Sequence, residues 1–450
     1  MKYHEKALAK AWRGQQVDGE NLITSQGQRL QVVYPGRESW DEGPDFRGAI
    51  MAVEGGELLK GDVELHIRAN QWRSHGHHRN PLYNRVVLHV VLWNDNGDLT
   101  YLESGAKVPI LELQSCLKAP LEEVSLMEGV DYAFHRHCRR GAAQLGPDAL
   151  GEVLDRAGQD RFLWRTAQYE AVLSLGDPSQ ALYEGLMEAL GYSKNKGAFK
   201  ELAQRLPLSV LEGYAGGKPE DEALLILQAL LLGEAGLLPS QRRSHRDGDE
   251  DGGIARSLEE IWRRWGAGDA MAEGSWRFFR VRPENLPPRR IAAAGYLLLR
   301  FLKRGLLESL EATIRDRKIR KAPRQLEEDL VVGPQGYWGR HYDFGVRARA
   351  ETALIGLGRA AEMTVNGVLP FFWAKANGDE GLKQRVEELY SSYPKLPGNY
   401  ITREMFQQLF PQGDARVVNS ARRQQGLIHL YKGACWERSC SSCPIGGSQM

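Results

Sequence analysis

Cysteine is scarce in this chain: five residues in 450, too few for a disulfide-stapled scaffold. Long apolar runs are missing too. None approaches the roughly 18 residues that span a bilayer, and residues 1–14 read as a short charged amphipathic helix rather than a signal peptide. The expectation is a soluble, cytoplasmic protein. No tandem repeat of fixed period is found, which argues against a solenoid. Net charge is nearly absent at +1, while a hydrophobic content of 42% and a charged content of 26% are ordinary for a globular chain. The length suggests two or three domains with ample chain for a core.

Strand periodicity is confined to the first quarter of the chain. Residues 29–34, 47–53, 62–69, 85–94 and 108–114 read as strands. Val86 to Trp93 is apolar on both faces apart from His89 and therefore reads as a central covered strand, followed by a hairpin turn at Asn94 to Gly97. Ile50 to Val53 end in the turn pair Gly55-Gly56. Val63, Leu65 and Ile67 then alternate with Glu64, His66 and Arg68. Glu64 and His66 thus share one strand face, and a hairpin partner brings Asp45 beside them. Two carboxylates in one place repel, and a hard divalent cation is the simplest neutraliser. The competing reading is a half-exposed strand whose charges face water.

From about Leu121 the period turns helical, with helices expected at 160–174, 178–191, 197–205, 208–212, 219–232, 254–266, 289–307, 350–358, 380–391 and 401–410. The division expected is 1–120 for an α+β domain and 121–450 for a helical one. Segment 244–253 is polar, glycine-rich and reads as mobile; it lacks the acid at the twelfth position of a calcium loop. Residues 276–324 hold 14 Lys and Arg against 4 Asp and Glu, a local charge of +10 that fits a phosphate-binding surface. Arg277, Arg280, Arg282, Arg289 and Arg290 are its candidate phosphate contacts, with Asn285 a polar reader. Solvated basic helix faces are the plainer alternative.

Three cysteines crowd the C-terminus as C-x4-C-x2-C at Cys435, Cys440 and Cys443, followed by Pro444, a spacing shared with iron–sulfur ligands. Cys138, flanked by His137, Arg139 and Arg140, is the candidate fourth ligand, its basic neighbours expected to lower the thiol pKa. Zinc is the alternative occupant. Cys116 reads as a packed thiol. Five of the eleven histidines fall between positions 66 and 89. His75, His77 and His78 lie on a loop expected to close over the sheet. With His66, His75 and His77 form either a zinc or manganese site or a set of phosphate contacts. His89, in the apolar strand, reads as a core histidine.

At this point a resemblance enters. The chain resembles a bacterial family, domain of unknown function 2851, over nearly its whole length. The matching stretches are Tyr34-Pro35-Gly36, Gly43-Pro44-Asp45-Phe46 and Gly61 to Arg68 with Trp72 and His75-Gly76-His77. They continue with Trp276 to Asn285 plus Pro287, Tyr337 to Tyr342, Asn366 to Pro370, and Cys435, Cys440, Cys443 and Gly446. That family brings no activity with it. Roughly the first 110 residues also resemble the PD-(D/E)XK nuclease superfamily. This implies a restriction-endonuclease-like core in which Asp45 and Glu64 are the paired acids and Glu5 a third metal-binding acid. His66 stands where that superfamily places lysine. Cys138 with the C-terminal cysteines is similar to the split cluster of its iron–sulfur members, although there the lone cysteine precedes the core.

The resulting expectation is a metal-dependent nuclease or nuclease-derived DNA-binding protein. Asp45, Glu64 and Glu5 would hold Mg2+ or Mn2+, and His66, titrating near neutrality, would orient water or stabilise charge. Basic residues, including His75 and His77, would contact the nucleic acid. The cysteines would lock the two domains together through an iron–sulfur cluster or zinc. The rivals are an inactive nucleic-acid-binding scaffold and a metal hydrolase that works through the histidine loop.

Overall fold

The structure is a computed structural model that describes residues 5–447, apart from 20, 40–41, 55–57, 122–134, 175, 243–252, 267, 280, 411–415 and 436–439. The turn pair Gly55-Gly56, most of the segment read as mobile, and Arg280 therefore lie outside the described residues. The chain divides into two compact units, Met1–Arg136 and His137–Met450.

The first unit carries a mixed sheet, as expected. After helix α1 (Glu5–Arg13) come strands β1 (Leu30–Tyr34), β2 (Arg37–Glu38), β3 (Phe46–Val53), β4 (Leu58–Arg68), β5 (Val86–Trp93), β6 (Leu99–Tyr101) and β7 (Lys107–Glu112). Their order is β1-β3-β4-β5-β7-β6, with β2 on β3. β3 and β4 form the antiparallel hairpin, while β4–β5 and β5–β7 are parallel. β5 lies between two parallel neighbours and is covered on both faces, which explains its near-unbroken apolar run. The Asn94–Gly97 turn does not join paired strands: β6 pairs with β7 instead of β5. The turn signal was real, but turn chemistry alone does not say which edge the chain returns to.

The two faces of the sheet are covered differently. Val63, Leu65, Leu88, Val90 and Leu92 pack with Leu8, Ala11 and Trp12 of α1 in one core. On the other face a short helix α2 (Gln71–Ser74) and two tight turns bring Trp72 and Tyr83 against Val86, Leu102 and Val108. The polar face of β4 is therefore buried, not half-exposed: Asp62, Glu64 and His66 are each 5% accessible or less. β4 also approaches β5 closely at Gly61, where a Cβ would collide with Val87.

Among its described residues the second unit is helical except for a two-stranded ribbon, His341–Asp343 with Val346–Arg347. Its first helix, His135–Leu173, breaks at Gly146, whose φ of 71° is followed by Pro147. The helix expected at 350–358 is displaced; it begins at Leu357, after an irregular stretch whose Ile355 pairs with Val332. Helices Leu306–Asp316, Ala322–Leu330 and Ala421–Leu430 lie outside the sequence expectation. One stretch, Glu220–Gln241, is after all long and apolar enough to cross a bilayer, with a mean hydropathy of 1.7. It lies instead in the helical core, where Ile226 to Leu232 are all buried, as expected of a helix apolar on every side.

Candidate metal centre

Alternation along β4 sends Asp62, Glu64 and His66 to the face that the α2 loop covers. Asp45, at the entrance to β3, is held beside them by reciprocal bonds. Its N–H donates to Glu64 Oε2 at 2.8 Å, and Leu65 N–H donates to Asp45 Oδ2 at 3.2 Å. The hairpin thus brings together the two acids that the sequence pairs. Asp62, next on the same face, accepts the Gly48 N–H at 2.9 Å and braces the bend where the β3–β4 register shifts.

The loop supplies imidazoles. Gly76, at φ 78°, turns the chain between His75 and His77 in a conformation that glycine adopts without strain. His77 Nε2 lies 3.2 Å from Glu64 Oε1, and His66 Nε2 lies 3.8 Å from the same oxygen. Tyr83 stacks on His77 at 4.0 Å between centroids, fixing its ring. One ligand nitrogen each from His66, His75 and His77 falls within 4.8 Å of the other two. The acidic pair and the histidine loop, read separately in the sequence, are one place.

Behind them lies a relay absent from the sequence reading. His66 Nδ1 meets His89 Nε2 at 2.9 Å, and His89 Nδ1 meets Thr100 Oγ1 at 2.7 Å. His89 is the core histidine expected, fully buried and bonded through both ring nitrogens. The parallel register sets it opposite Glu64. In the tautomer that runs His66 Nδ1–H to His89 and His89 Nδ1–H to Thr100, the remaining His66 nitrogen is a bare lone pair. That nitrogen, Nε2, is buried and has no hydrogen-bond partner. A buried polar atom left unpaired is costly, and a cation shared with His75 and His77 would satisfy it.

Burial first, then His89, His77 and His75, pushes the His66 pKa down to about 2. Burial and then His77 push His89 to about 3. His66 therefore does not titrate near neutrality in this setting. It is a neutral donor or lone pair, not a cation standing in for lysine. Glu5 is exposed and accepts from Gln71 Nε2 at 3.2 Å. Among its described hydrogen bonds none reaches Asp45 or Glu64.

The basic segment divides. Arg277 and Arg282 are exposed. Arg289 is fully buried; its guanidinium donates to His341 O, Thr352 O and Thr352 Oγ1, each at 2.7 Å. Arg290, also buried, donates to Tyr192 Oη, to Asn285 Oδ1 and to Leu354 O. Both arginines are spent on internal bonds and are not surface phosphate contacts, while half-buried Asn285 accepts from Arg290 through Oδ1. A local charge count does not distinguish a solvated arginine from one that ties loops together.

The cysteines converge within the second unit. Cys435 lies within electrostatic range of Cys138, Cys440 and Cys443, and burial first, then these thiols, pushes its pKa to about 12. Cys138 is buried and accepts from Gln408 Nε2 at 2.9 Å. Burial raises its pKa, overriding the basic neighbours expected to lower it. The C-terminal loop seats on the Cys138 helix at Gly141, where a Cβ would overlap the Ile445 carbonyl oxygen. Cys138 belongs to this unit, so all four cysteines lie within it and do not span the two units as expected. Cys116 is the packed thiol expected, donating to Asn21 O at 3.2 Å.

The family model for protein of unknown function DUF2851 matches residues 5–397. The chain belongs to that family. The match takes in Asp45, Glu64 and the histidine loop, and it ends before Cys435, Cys440 and Cys443. No curated protein and no solved structure gives a significant match.

Proposed function

We propose that this DUF2851 protein is a metal-dependent hydrolase of phosphodiesters, with nucleic acid, DNA in particular, as its substrate class. The observation that carries the reading is the buried, unpartnered His66 Nε2, set beside His75, His77 and Glu64. Imidazoles mixed with a carboxylate suit Mn2+ or Zn2+ better than Mg2+, which prefers an all-oxygen shell. His66, His75, His77 and Glu64 would hold the ion, and it would supply Lewis-acid activation of the phosphate and the attacking water. Asp45 stays fixed by the Leu65 N–H and is placed to accept a proton from water or to complete the donor set. The His89–Thr100 pair sets the His66 tautomer. The phosphodiester assignment rests on the paired acids of the β3–β4 hairpin and the nuclease superfamily they resemble. Exposed Arg277 and Arg282 remain as phosphate contacts.

The test is cleavage of DNA by protein stripped with chelator and reloaded with Mn2+, Zn2+ or Mg2+. Mn2+ or Zn2+ should restore activity, and Glu64→Gln and Asp45→Asn should each reduce it on the order of 100-fold or more. Metal binding without cleavage of DNA or RNA would leave the small-molecule hydrolase as the better reading. Unchanged metal content in a Glu64→Gln, His77→Ala double variant would remove the centre itself.

We also propose that Cys138, Cys435, Cys440 and Cys443 hold an iron–sulfur cluster. The C-x4-C-x2-C spacing of Cys435, Cys440 and Cys443, trailed by Pro444, supports this reading over the paired C-x2-C knuckles usual for structural zinc.

A further inference from the structure

A cavity of about 560 Å³ is lined wholly by residues of the helical unit. Six cationic side chains line it, Arg161, Arg165, Lys196, Lys200, Arg359 and Lys432, against three carboxylates, Glu184, Glu188 and Glu362. The excess is three positive charges. The carboxylates are largely engaged: Glu362 with Arg359 at 2.5 Å, Glu188 with Lys196 at 3.7 Å, and Glu184 with Gln180 and Gln204. Among the described residues, Arg161, Arg165 and Lys432 have no carboxylate within ion-pair distance.

The residues are positioned for a shared ligand. Arg161 and Arg165 are one turn apart on helix His135–Leu173 and point to the same side. Arg161 is 7% exposed, and Gln425 Oε1 orients it through Nε at 2.7 Å. Arg165 is anchored through Nη1 on Asn366 O at 2.9 Å, while its Nε is buried without a partner. Arg359 lies 3.6 Å over the Tyr192 ring and also has an unpartnered buried Nε. These cations also repel one another. Lys432 is lowered to about 8, by burial first and then by Arg161, Lys196 and Arg165.

A fold that gathers like charges in a partly dry cavity gives up stability unless something neutralises them. Surface arginines spread apart would serve solubility equally well. We infer that this cavity binds a small phosphate ester, its anionic groups held by Arg161, Arg165, Lys196 and Lys432. The volume falls within the range of small-ligand sites and exceeds what a bare anion fills. Planar guanidinium groups recognise phosphate oxygens in pairs, and the amides of Asn366 and Gln425 are polar contacts for the rest of the ligand.

The experiment is calorimetry on the full-length protein at low salt, with chelator present, using ATP, AMP, pyrophosphate and uncharged adenosine as probes. ATP and AMP are expected to bind and adenosine not to. Pyrophosphate should bind more weakly than ATP, because it leaves the cavity part-filled. Lys432→Gln should weaken ATP at least tenfold. Arg165→Gln should do the same, and Lys218→Gln, remote from the cavity, should change nothing. Failure of ATP, AMP and pyrophosphate to bind the parent overturns the inference. So does ATP binding that Lys432→Gln and Arg165→Gln leave unaltered.

Discussion

His66 and His89 face each other Nδ1 to Nε2 at 2.9 Å, and this contact decides what His66 can offer on its other side. With Thr100 closing the chain, His89 is a positioning residue for a ligand nitrogen that it does not itself supply. Outer partners of this kind typically account for 10–100-fold in metal affinity. His89→Leu should therefore weaken Mn2+ or Zn2+ binding by about that factor while keeping the stoichiometry. Thr100→Val should do so more mildly. Competition against a fluorescent chelator reads both, and full affinity in His89→Leu would mean that the tautomer is set elsewhere.

The same pair predicts an acid sensitivity. Both histidines have folded pKa values far below their ordinary value, at about 2 and about 3. Between those values and about 6.5 the unfolded chain binds protons that the folded chain refuses. Stability is therefore complete above about pH 6.5 and is lost as pH falls below it, on the order of 1 kcal/mol per pH unit for each histidine. Urea unfolding of chelator-treated protein from pH 7.5 to 5 should show this slope, and His89→Leu should halve it. An equal slope in the variant would place the proton uptake on other groups.

Arg282 and Arg289 sit in one basic stretch and should behave oppositely. Arg282→Glu, at an exposed position, should leave the fold intact and flatten the salt dependence of DNA binding, by roughly one or two contacts at about −0.9 each. Arg289→Ala removes three internal bonds from a buried cation, and hydrogen bonds to charged groups are worth about 1.5–3 kcal/mol apiece before relaxation. It should lower the melting temperature sharply without a specific effect on DNA. Salt titrations alongside melting curves separate the two.

Local pattern carried the sheet. The strand periods of 47–53, 62–69 and 85–94 correspond to β3, β4 and β5, and the parity of Glu64 with His66 needs no tertiary information. What lay beyond reach depends on which strands become neighbours. His89 joins His66 because β4 and β5 pair in parallel at one register, and nothing local to either strand states that register. Yet a signal existed: a lone histidine in an otherwise apolar central strand must find a partner, and Glu64 and His66 were the polar residues at hand. The cationic cavity was hidden more deeply. Arg161, Lys196, Arg359 and Lys432 come from four separate segments, none of which is basic enough to stand out.

The cysteine set makes the last prediction. If Cys138 and the C-terminal thiols share a cluster, the loop they close runs through most of the helical unit, so its loss should loosen that whole unit. Cys138→Ser and Cys440→Ser should therefore lower stability by similar amounts, and both should bleach visible absorbance in anaerobically purified protein. Gly141→Ala retains all four ligands but places a Cβ against the Ile445 carbonyl, forcing the loop off its helix. It should reduce cluster content without touching a sulfur. Colourless parent protein carrying one zinc would replace the cluster while keeping the ligands. Full metal content in Cys138→Ser would show that the C-terminal cysteines find their fourth partner elsewhere.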